Sequence, residues 1–321
     1  MTKYLFLTKG GSWFPGWATR ELTGAGMWNW VRAFKGDYKL LRTLDPSNIQ
    51  GELEKYDIVH VNLSGDDTAL PGLLRNKLGR SSTKLICNMD YNIENFQRHV
   101  LGAGYTIHDL VSSFLSSDLV FAQEPFQQSF VQYIIDEDAA LAEAAGKPSK
   151  RMNVPLIPHP INMDLKKKAV PSDQRLEILL IDFHRYDNQL LVPSLLTRAL
   201  PIINGLAPNV IIGGYTGEVN IFGIKDKLFD GAMDYTDWGQ FVYLLMNSCW
   251  GLSYYSIHSH DRFAAEAACL KVPTVTTRNS YYGTVLWPDL CKEMTDLKGL
   301  RESLKRIITD DKFYEETAEK A

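Results

Sequence analysis

The chain has 321 residues, 45% of them apolar and 22% charged, with a formal net charge of −4. That length accommodates two domain cores of ordinary size, and the charge balance gives no global basic field of the kind that draws a protein to a nucleic-acid backbone. Cys87, Cys249, Cys269 and Cys291 are widely spaced without a CxxC pair, which disfavours a structural zinc site and suits reduced core thiols.

The N-terminal MTKYLFLTKGG carries too short an apolar run for a signal peptide and begins directly with a core strand, Tyr4 to Thr8. No segment approaches the roughly 20 apolar residues that span a bilayer, so a soluble, cytoplasmic protein without a membrane span is expected. Gly10 and Gly11 follow the first strand and permit a tight turn or close approach to a ligand. They are adjacent, and Trp13 and Phe14 crowd the place where a helix should start, so the GxGxxG dinucleotide fingerprint is not met. Trp13, Trp17, Trp28 and Trp30 fall close together in the next stretch. Trp13 and Trp17 either form a platform for a sugar ring or base or pack locally to hold a long loop. Met27 to Phe34 reads as a helix.

Lys39 to Leu41, Ile58 to Asn62, Lys84 to Asn88 and Leu119 to Ala122 are short apolar strands separated by helical or turn-rich segments, the pattern of a doubly wound sheet. His60 falls inside a buried strand pattern. Asp90, just past a strand end, is placed to act as a base toward an acceptor hydroxyl or to cap a turn. Asp136 to Lys150 is a charged, alanine-rich helix, Val154 to Ile157 a short strand, and Pro158 to Asp164 an extended hinge. Glu177 to Ile181 opens a second run of strands, which continues with Asn209 to Gly213 and Val219 to Phe222. A helix ending near Met246 carries Phe241, Leu244 and Leu245 at core spacing.

The most informative stretch is Ser256 to Thr277, SIHSHDRFAAEAACLKVPTVTT. Trp250 to Tyr255 reads as a buried strand, His258 to Asp261 as a polar turn, Arg262 to Leu270 as a helix and Val272 to Thr276 as the next strand. Such a unit is a parallel crossover, and its loop sits where helix N-termini attract phosphate. Glu266 lies one helical turn from Arg262, within reach of a hydroxyl on something bound above it. Asn279 to Gly283 reads as a polar turn, and Leu297 to Asp310 and Lys312 to Ala321 as charged helices.

This stretch resembles the donor-binding segment of GT-B glycosyltransferases, in particular the group 1 family, whose pattern runs roughly E-x-F-G-x-x-x-x-E-A-x-A-x-G-x-P-V. Glu266, Ala267 and Pro273 match it in order, and Glu266 takes the place of the Glu that holds the donor ribose. His258 stands where the pattern has its first Glu, Asp261 at the first Gly, Cys269 at the second Ala, Lys271 at the later Gly and Thr274 at the Val. YDIVHVN, KLICNMDYN, SSDLVFAQEPFQQSF and PHPINMD resemble, in the same order, phrases of the family's N-terminal half and its crossing into the second domain. The family clamps the donor diphosphate with G-R-x-x-x-K-G; DFHRYDNQ matches it only at Arg185, which contacts phosphate or forms a surface ion pair. Arg262 is placed to supply the missing charge.

The resemblance implies an α/β protein of the GT-B fold: two Rossmann-like doubly wound domains facing a central cleft. Residues 1–158 would form the acceptor side, 159–174 the linker and 175–321 the donor-binding domain. The implied reaction is metal-independent transfer of a hexosyl or pentosyl group from a nucleotide-diphosphate sugar to an acceptor hydroxyl, with no cofactor beyond that co-substrate. The expected donor and phosphate contacts are Gly10, Gly11, Arg185, His260, Asp261, Arg262 and Glu266; the catalytic candidates are Asp90 and His258, and the acceptor platform is Trp13 and Trp17. The acceptor itself stays open among glycan, lipid, protein, small molecule and modified nucleobase. Two alternatives stand beside this reading. One is a non-catalytic nucleotide-sugar or glycan binding protein of the same fold; the other is a metal-dependent hydrolase with His258, His260 and Asp261 as ligands.

Overall fold

The structure, a computed structural model, describes residues 2–9, 26–63, 67–89, 93, 100–182, 206–207, 209–214, 231–234, 238–255 and 257–321. The chain divides into two compact units, Met1–Pro160 and Ile161–Ala321. In the first, β1 (Tyr4–Thr8), α1 (Gly26–Ala33), β2 (Asp37–Leu40), α2 (Ile49–Leu53), β3 (Ile58–Leu63), α3 (Leu70–Leu78), β4 (Lys84–Met89), α4 (Ile107–Leu115), β5 (Leu119–Phe121) and α5 (Pro125–Ala144) follow in order. The strands form a parallel sheet in the order β2-β1-β3-β4-β5. Both faces are covered, which is why these strands read as nearly unbroken apolar runs. Leu5, Leu7, Val59, Val61, Leu85 and Val120 form one buried face with Leu74 of α3 and Phe114 of α4, and Tyr4, Phe6 and Phe121 form the other with Trp30 of α1.

His60 lies at the centre of that second face, fully buried and edge-on to Trp30 and Phe6. Its tautomer follows from its neighbours. Asn88 donates its Nδ2 to the Met89 carbonyl at 3.0 Å and turns Oδ1 toward His60 Nε2 at 2.6 Å, so Nε2 carries the proton. Tyr4 therefore donates its hydroxyl to Nδ1, at 2.5 Å. Burial pushes the imidazole down to about 4, because a charged ring in this aromatic cage is poorly solvated.

The second unit contains β6 (Leu176–Asp182), β7 (Asn209–Gly214), β8 (Gly231–Asp234), α6 (Trp238–Asn247), β9 (Ser248–Ser253), α7 (Arg262–Cys269), β10 (Thr274–Thr277), α8 (Tyr281–Leu286), β11 (Cys291–Lys292), α9 (Leu297–Thr309) and α10 (Asp311–Lys320). Its strands are also parallel, in the order β11-β10-β9-β6-β7-β8. Leu179, Ile181, Leu252 and Val275 form the core with Leu245 of α6, Ala264 and Ala267 of α7, and Leu304 of α9. Arg175 closes the end of α7, where helix carbonyls lack partners. It donates to the carbonyls of Leu270 (2.8 Å), Lys271 (2.7 Å) and Val170 (2.9 Å), and to the Tyr314 hydroxyl at 3.0 Å.

Several elements differ from the sequence reading for local reasons. Val154 to Ile157 contributes only a single bridge, Ala122 to Leu156. Pro155 has no N–H to donate, and glutamines of α5 take both backbone groups of Val154: its N–H donates to Gln132, and Gln128 donates to its carbonyl. The charged helix begins well before Asp136, at Pro125, because Glu124 caps it through the N–H groups of Phe126 (2.7 Å) and Gln127 (2.5 Å). The expected turn at Asn279 to Gly283 opens α8, capped by Ser280. The short β8 and β11 were not anticipated, and Val219 to Phe222 lies outside the described residues. All four cysteines are free thiols. Among the described residues, no helix is long and apolar enough to cross a membrane.

The His60 cage makes stability depend on pH with a definite sign. The unfolded imidazole titrates near 6.5 and the folded one near 4, so its contribution is present above pH 6.5 and is lost as pH falls toward 4. Between pH 7 and 4.5 the wild type is expected to lose about 2–3 kcal/mol more unfolding free energy than His60→Gln, measured by urea denaturation. Equal losses in the two proteins would contradict a neutral buried imidazole.

Candidate functional site

Each sheet has one place where the winding direction reverses, and open α/β sheets bind ligands beyond the carboxyl ends of the strands at such places. In the second unit the chain runs from β6 outward to β7 and β8, then returns to β9 and continues outward through β10 and β11. The reversal lies between the ends of β6 and β9, where Asp182 and Ser253 are paired neighbours.

The loop from Tyr254 to Asp261 leaves β9 at this point and is tied to the segment before α8. Ser259 N–H donates to the Asn279 carbonyl at 2.8 Å, and Tyr281 N–H donates to the Ser259 carbonyl at 2.8 Å. This adds one parallel bridge, Ser259 to Ser280, and an extended backbone sends successive side chains to opposite sides. Ile257, Ser259 and Asp261 are accordingly buried, while His258, His260 and Arg262 are half-buried. Three basic side chains thus alternate with three buried ones along the loop.

Asp261 ends the loop in the left-handed region, φ 56°, which an Asp tolerates better than most residues. It caps α7 by accepting the Ala264 N–H at 3.1 Å, and it accepts the Ser253 hydroxyl at 2.8 Å. Ser280 donates its hydroxyl to the same carboxylate while accepting the Gly283 N–H at 2.8 Å, so the starts of α7 and α8 are joined through one acid. A side chain at position 283 would overlap Ser280 and Thr276, which makes glycine necessary there. Asp261 was expected as a phosphate contact, and its described hydrogen bonds run inside the protein. The residue is wholly buried, its carboxylate is engaged inside the protein, and its charge already offsets the positive end of α7. What the loop offers an anion is Arg262 and the two histidines.

Arg262 and Glu266 form an ion pair along α7, Nε to Oε1 at 3.3 Å, with the carboxylate almost fully buried and the guanidinium partly exposed. Asp182 completes the group. It is 3% exposed, and the Tyr255 hydroxyl donates to its Oδ2 at 3.0 Å. Burial pushes this carboxyl well above the usual carboxylate range, and nearby Asp261 pushes it further; the Tyr255 hydrogen bond and Arg262 oppose the shift, while Glu266 adds to it. Asp182 was missed in the sequence, where the strand was closed at Ile181. The available signal was an acid ending the apolar run LEILLID. Among the described residues no group of three His, Cys, Asp or Glu side chains is placed to hold a metal. The hydrolase alternative is corrected accordingly: the alternation that brings His258 and His260 to one side of the loop turns Asp261 to the other.

In the first unit the reversal lies between β1 and β3, and the carboxyl ends there carry Thr8 and Asn62. Asn62 Oδ1 is buried without a hydrogen-bond partner, and so is Nε2 of Gln123, which follows β5. The register runs from Asn62 to Asn88 to Phe121, two residues before Gln123, so both orphan amides belong to the carboxyl edge of this sheet. No motif marked either residue. Gly10, Gly11, Trp13, Trp17, Asp90 and Arg185 lie outside the described residues.

The Asp261 network predicts a structural phenotype. Asp261→Ala removes a helix cap and leaves two buried hydroxyls without an acceptor, so the unfolding free energy should fall by about 3 kcal/mol. Thermal and urea denaturation of the ligand-free protein measure this. An unchanged stability would return Asp261 to the role of a ligand contact.

No family model matches the sequence, and no curated protein sequence matches it. Solved structures do. An alpha-glucosyltransferase in complex with UDP aligns over 100% of this chain and 94% of its own, at 11% identity and a TM-score of 0.66. The alpha,alpha-trehalose 6-phosphate synthase of Burkholderia multivorans aligns over the same shares at 12% identity and a TM-score of 0.67. An alpha-glucosyltransferase in complex with UDP-glucose and DNA containing an abasic site covers 99% of this chain and 93% of its own, with 11% identity and a TM-score of 0.63. The neighbours are GT-B glycosyltransferases, and the fold of this chain is GT-B.

Proposed function

We propose that the protein is a glycosyltransferase that moves a hexosyl or pentosyl group from a uridine-diphosphate sugar to an acceptor hydroxyl. Residues 175–321 act as the donor side, 1–158 as the acceptor side and 159–174 as their connection. The observation that carries the reading is the second unit's reversal point, where a GT-B sheet meets a loop that presents His258, His260 and Arg262 together. The choice of uridine is supported by similar structures that contain UDP or UDP-glucose.

In this reading the departing diphosphate gathers negative charge as the glycosidic bond breaks, and the site must hold that charge in place. Arg262 supplies a planar guanidinium, held in orientation by Glu266 through Nε. His260, Gly10, Gly11 and Arg185 complete the diphosphate contacts, and Glu266 meets a ribose hydroxyl. Cationic side chains answer the leaving-group charge without an obligatory metal. Asp90 serves as the base or orienting group for the acceptor hydroxyl, His258 acts at the sugar, and Trp13 and Trp17 form the acceptor platform. The orphan amides of Asn62 and Gln123 are acceptor-side contacts, because buried polar groups persist when a ligand satisfies them.

Two experiments test this. Arg262→Ala should weaken UDP binding at least tenfold in calorimetry while leaving uridine affinity within about threefold, because a guanidinium grips phosphate rather than base. Absence of UDP binding by the wild type would remove the donor site; binding without release of UDP from any UDP-sugar would favour the non-catalytic alternative. Asn62→Leu should raise unfolding free energy by about 1 kcal/mol, because an unpaired polar group leaves the core. The same change should lower transfer to acceptor at least tenfold and leave hydrolysis of the donor by water unchanged. Unimpaired transfer would exclude Asn62 from the acceptor site.

A further inference from the structure

The end of β6 brings three carboxyl groups, Asp182, Asp261 and Glu266, around one guanidinium, Arg262. Among the described residues Arg262 is the one guanidinium in this group, and burial disfavours the charged form of whichever acid is least well partnered, so that acid keeps its proton. The hydrogen bonds identify it. Asp261 accepts a backbone N–H and two hydroxyls at a helix start, the setting that most favours an ionised carboxylate. Glu266 has the Arg262 ion pair. Among the described residues, Asp182 receives only one neutral hydroxyl, from Tyr255. The remaining neighbours in the sheet, Ser253 on β9 and Gly213 on β7, bring no charge.

Its position gives this proton a use. Asp182 is the last residue of β6, at the point where the winding of the sheet reverses, and so borders the ligand crevice of the second unit. The Tyr255 hydroxyl bonds to Oδ2, and among the described residues no donor meets Oδ1. The acid proton therefore belongs on Oδ1. We propose that Asp182 is a donor-site residue that works as a neutral carboxylic acid, its Oδ1–H donating to an oxygen of the bound diphosphate, so that ionisation turns an attraction into a repulsion. The inference rests on the donor-site reading above and adds to it a residue outside the glycosyltransferase resemblance. It also accounts for how a diphosphate is accepted beside Asp261 and Glu266: the third carboxyl contributes a hydrogen bond instead of a third negative charge.

The test is UDP affinity by calorimetry, from pH 7 to 9.5, for wild type, Asp182→Asn and Asp182→Ala, with uridine as the phosphate-free control. Asn keeps the shape and a donor but cannot ionise. At pH 7, Asp182→Ala should lose about tenfold in UDP affinity and Asp182→Asn should restore it to within about threefold of wild type. Toward pH 9.5 wild-type affinity should fall relative to Asp182→Asn, while uridine affinity stays parallel in the two proteins. A tenfold gain in UDP affinity for Asp182→Asn at pH 7 would show that Asp182 is ionised and overturn the proposal. Equal affinity and equal pH dependence in all three proteins would do so as well. If the wild type binds no UDP, the donor-site reading fails first and this inference with it. The isosteric Asn variant keeps the comparison decisive if Asp182→Ala does not fold.

Discussion

The Asp261 carboxylate is held by the first turn of α7, by the Ser253 hydroxyl at the end of β9 and by the Ser280 hydroxyl that begins α8. A buried charge is tolerable only when its hydrogen-bonding capacity is filled, and the penalty for an unfilled one amounts to several kcal/mol. Each partner is therefore constrained by the others. The described stretch from Ile257 to Asp261 is tied at Ser259 and Asp261, and its path decides which of its side chains face outward. His258, His260 and Arg262 appear together because the residues between them are committed to the interior.

Around this fixed acid the rest of the site is a problem of charge balance. Arg262 is the only guanidinium among the described residues to pair with Glu266, and that pair turns a flexible cation into an oriented one. Asp182 then sits in a field that already contains two carboxylates, so its environment, more than its chemical identity, determines its protonation. The first unit handles burial of polar groups in two contrasting ways. His60 is fully satisfied by Tyr4 and Asn88 and serves the core, whereas Asn62, two residues further along the same strand, is left with an unpaired oxygen at the sheet edge. On the same face of one strand, a satisfied polar group is thus followed by an unsatisfied one within a single side-chain repeat.

Much of this architecture was legible in the amino-acid sequence. The strands at Tyr4, Ile58, Lys84 and Asn209 start where the apolar runs start, because a parallel strand buried on both faces has no polar alternation to blur its ends. The crossover from Trp250 to Thr276 was readable for the same reason, and its motif led to Arg262 and Glu266 as neighbours. What escaped depends on contacts distant in sequence. Ser280 looked like a turn residue because its role is set by an acid 19 positions earlier. Asp261 carried a motif position associated with ligand contact, yet its hydrogen bonds are internal. The Val154 to Ile157 strand was lost to competition from Gln128 and Gln132, whose side chains take backbone groups that a ladder would have used. Asp182 and Asn62 occupy single positions at strand ends, and only the order of the strands reveals that both ends lie at a reversal.

The central claim, that a nucleotide diphosphate occupies the reversal point of the second unit, is tested most directly by amide hydrogen exchange with and without UDP. Binding at the proposed place predicts slower exchange in the peptides spanning Tyr254 to Glu266 and the end of β6 at Asp182, with α9 and α10 unaffected. UDP that binds without protecting those peptides, or that protects only segments elsewhere, would contradict the account.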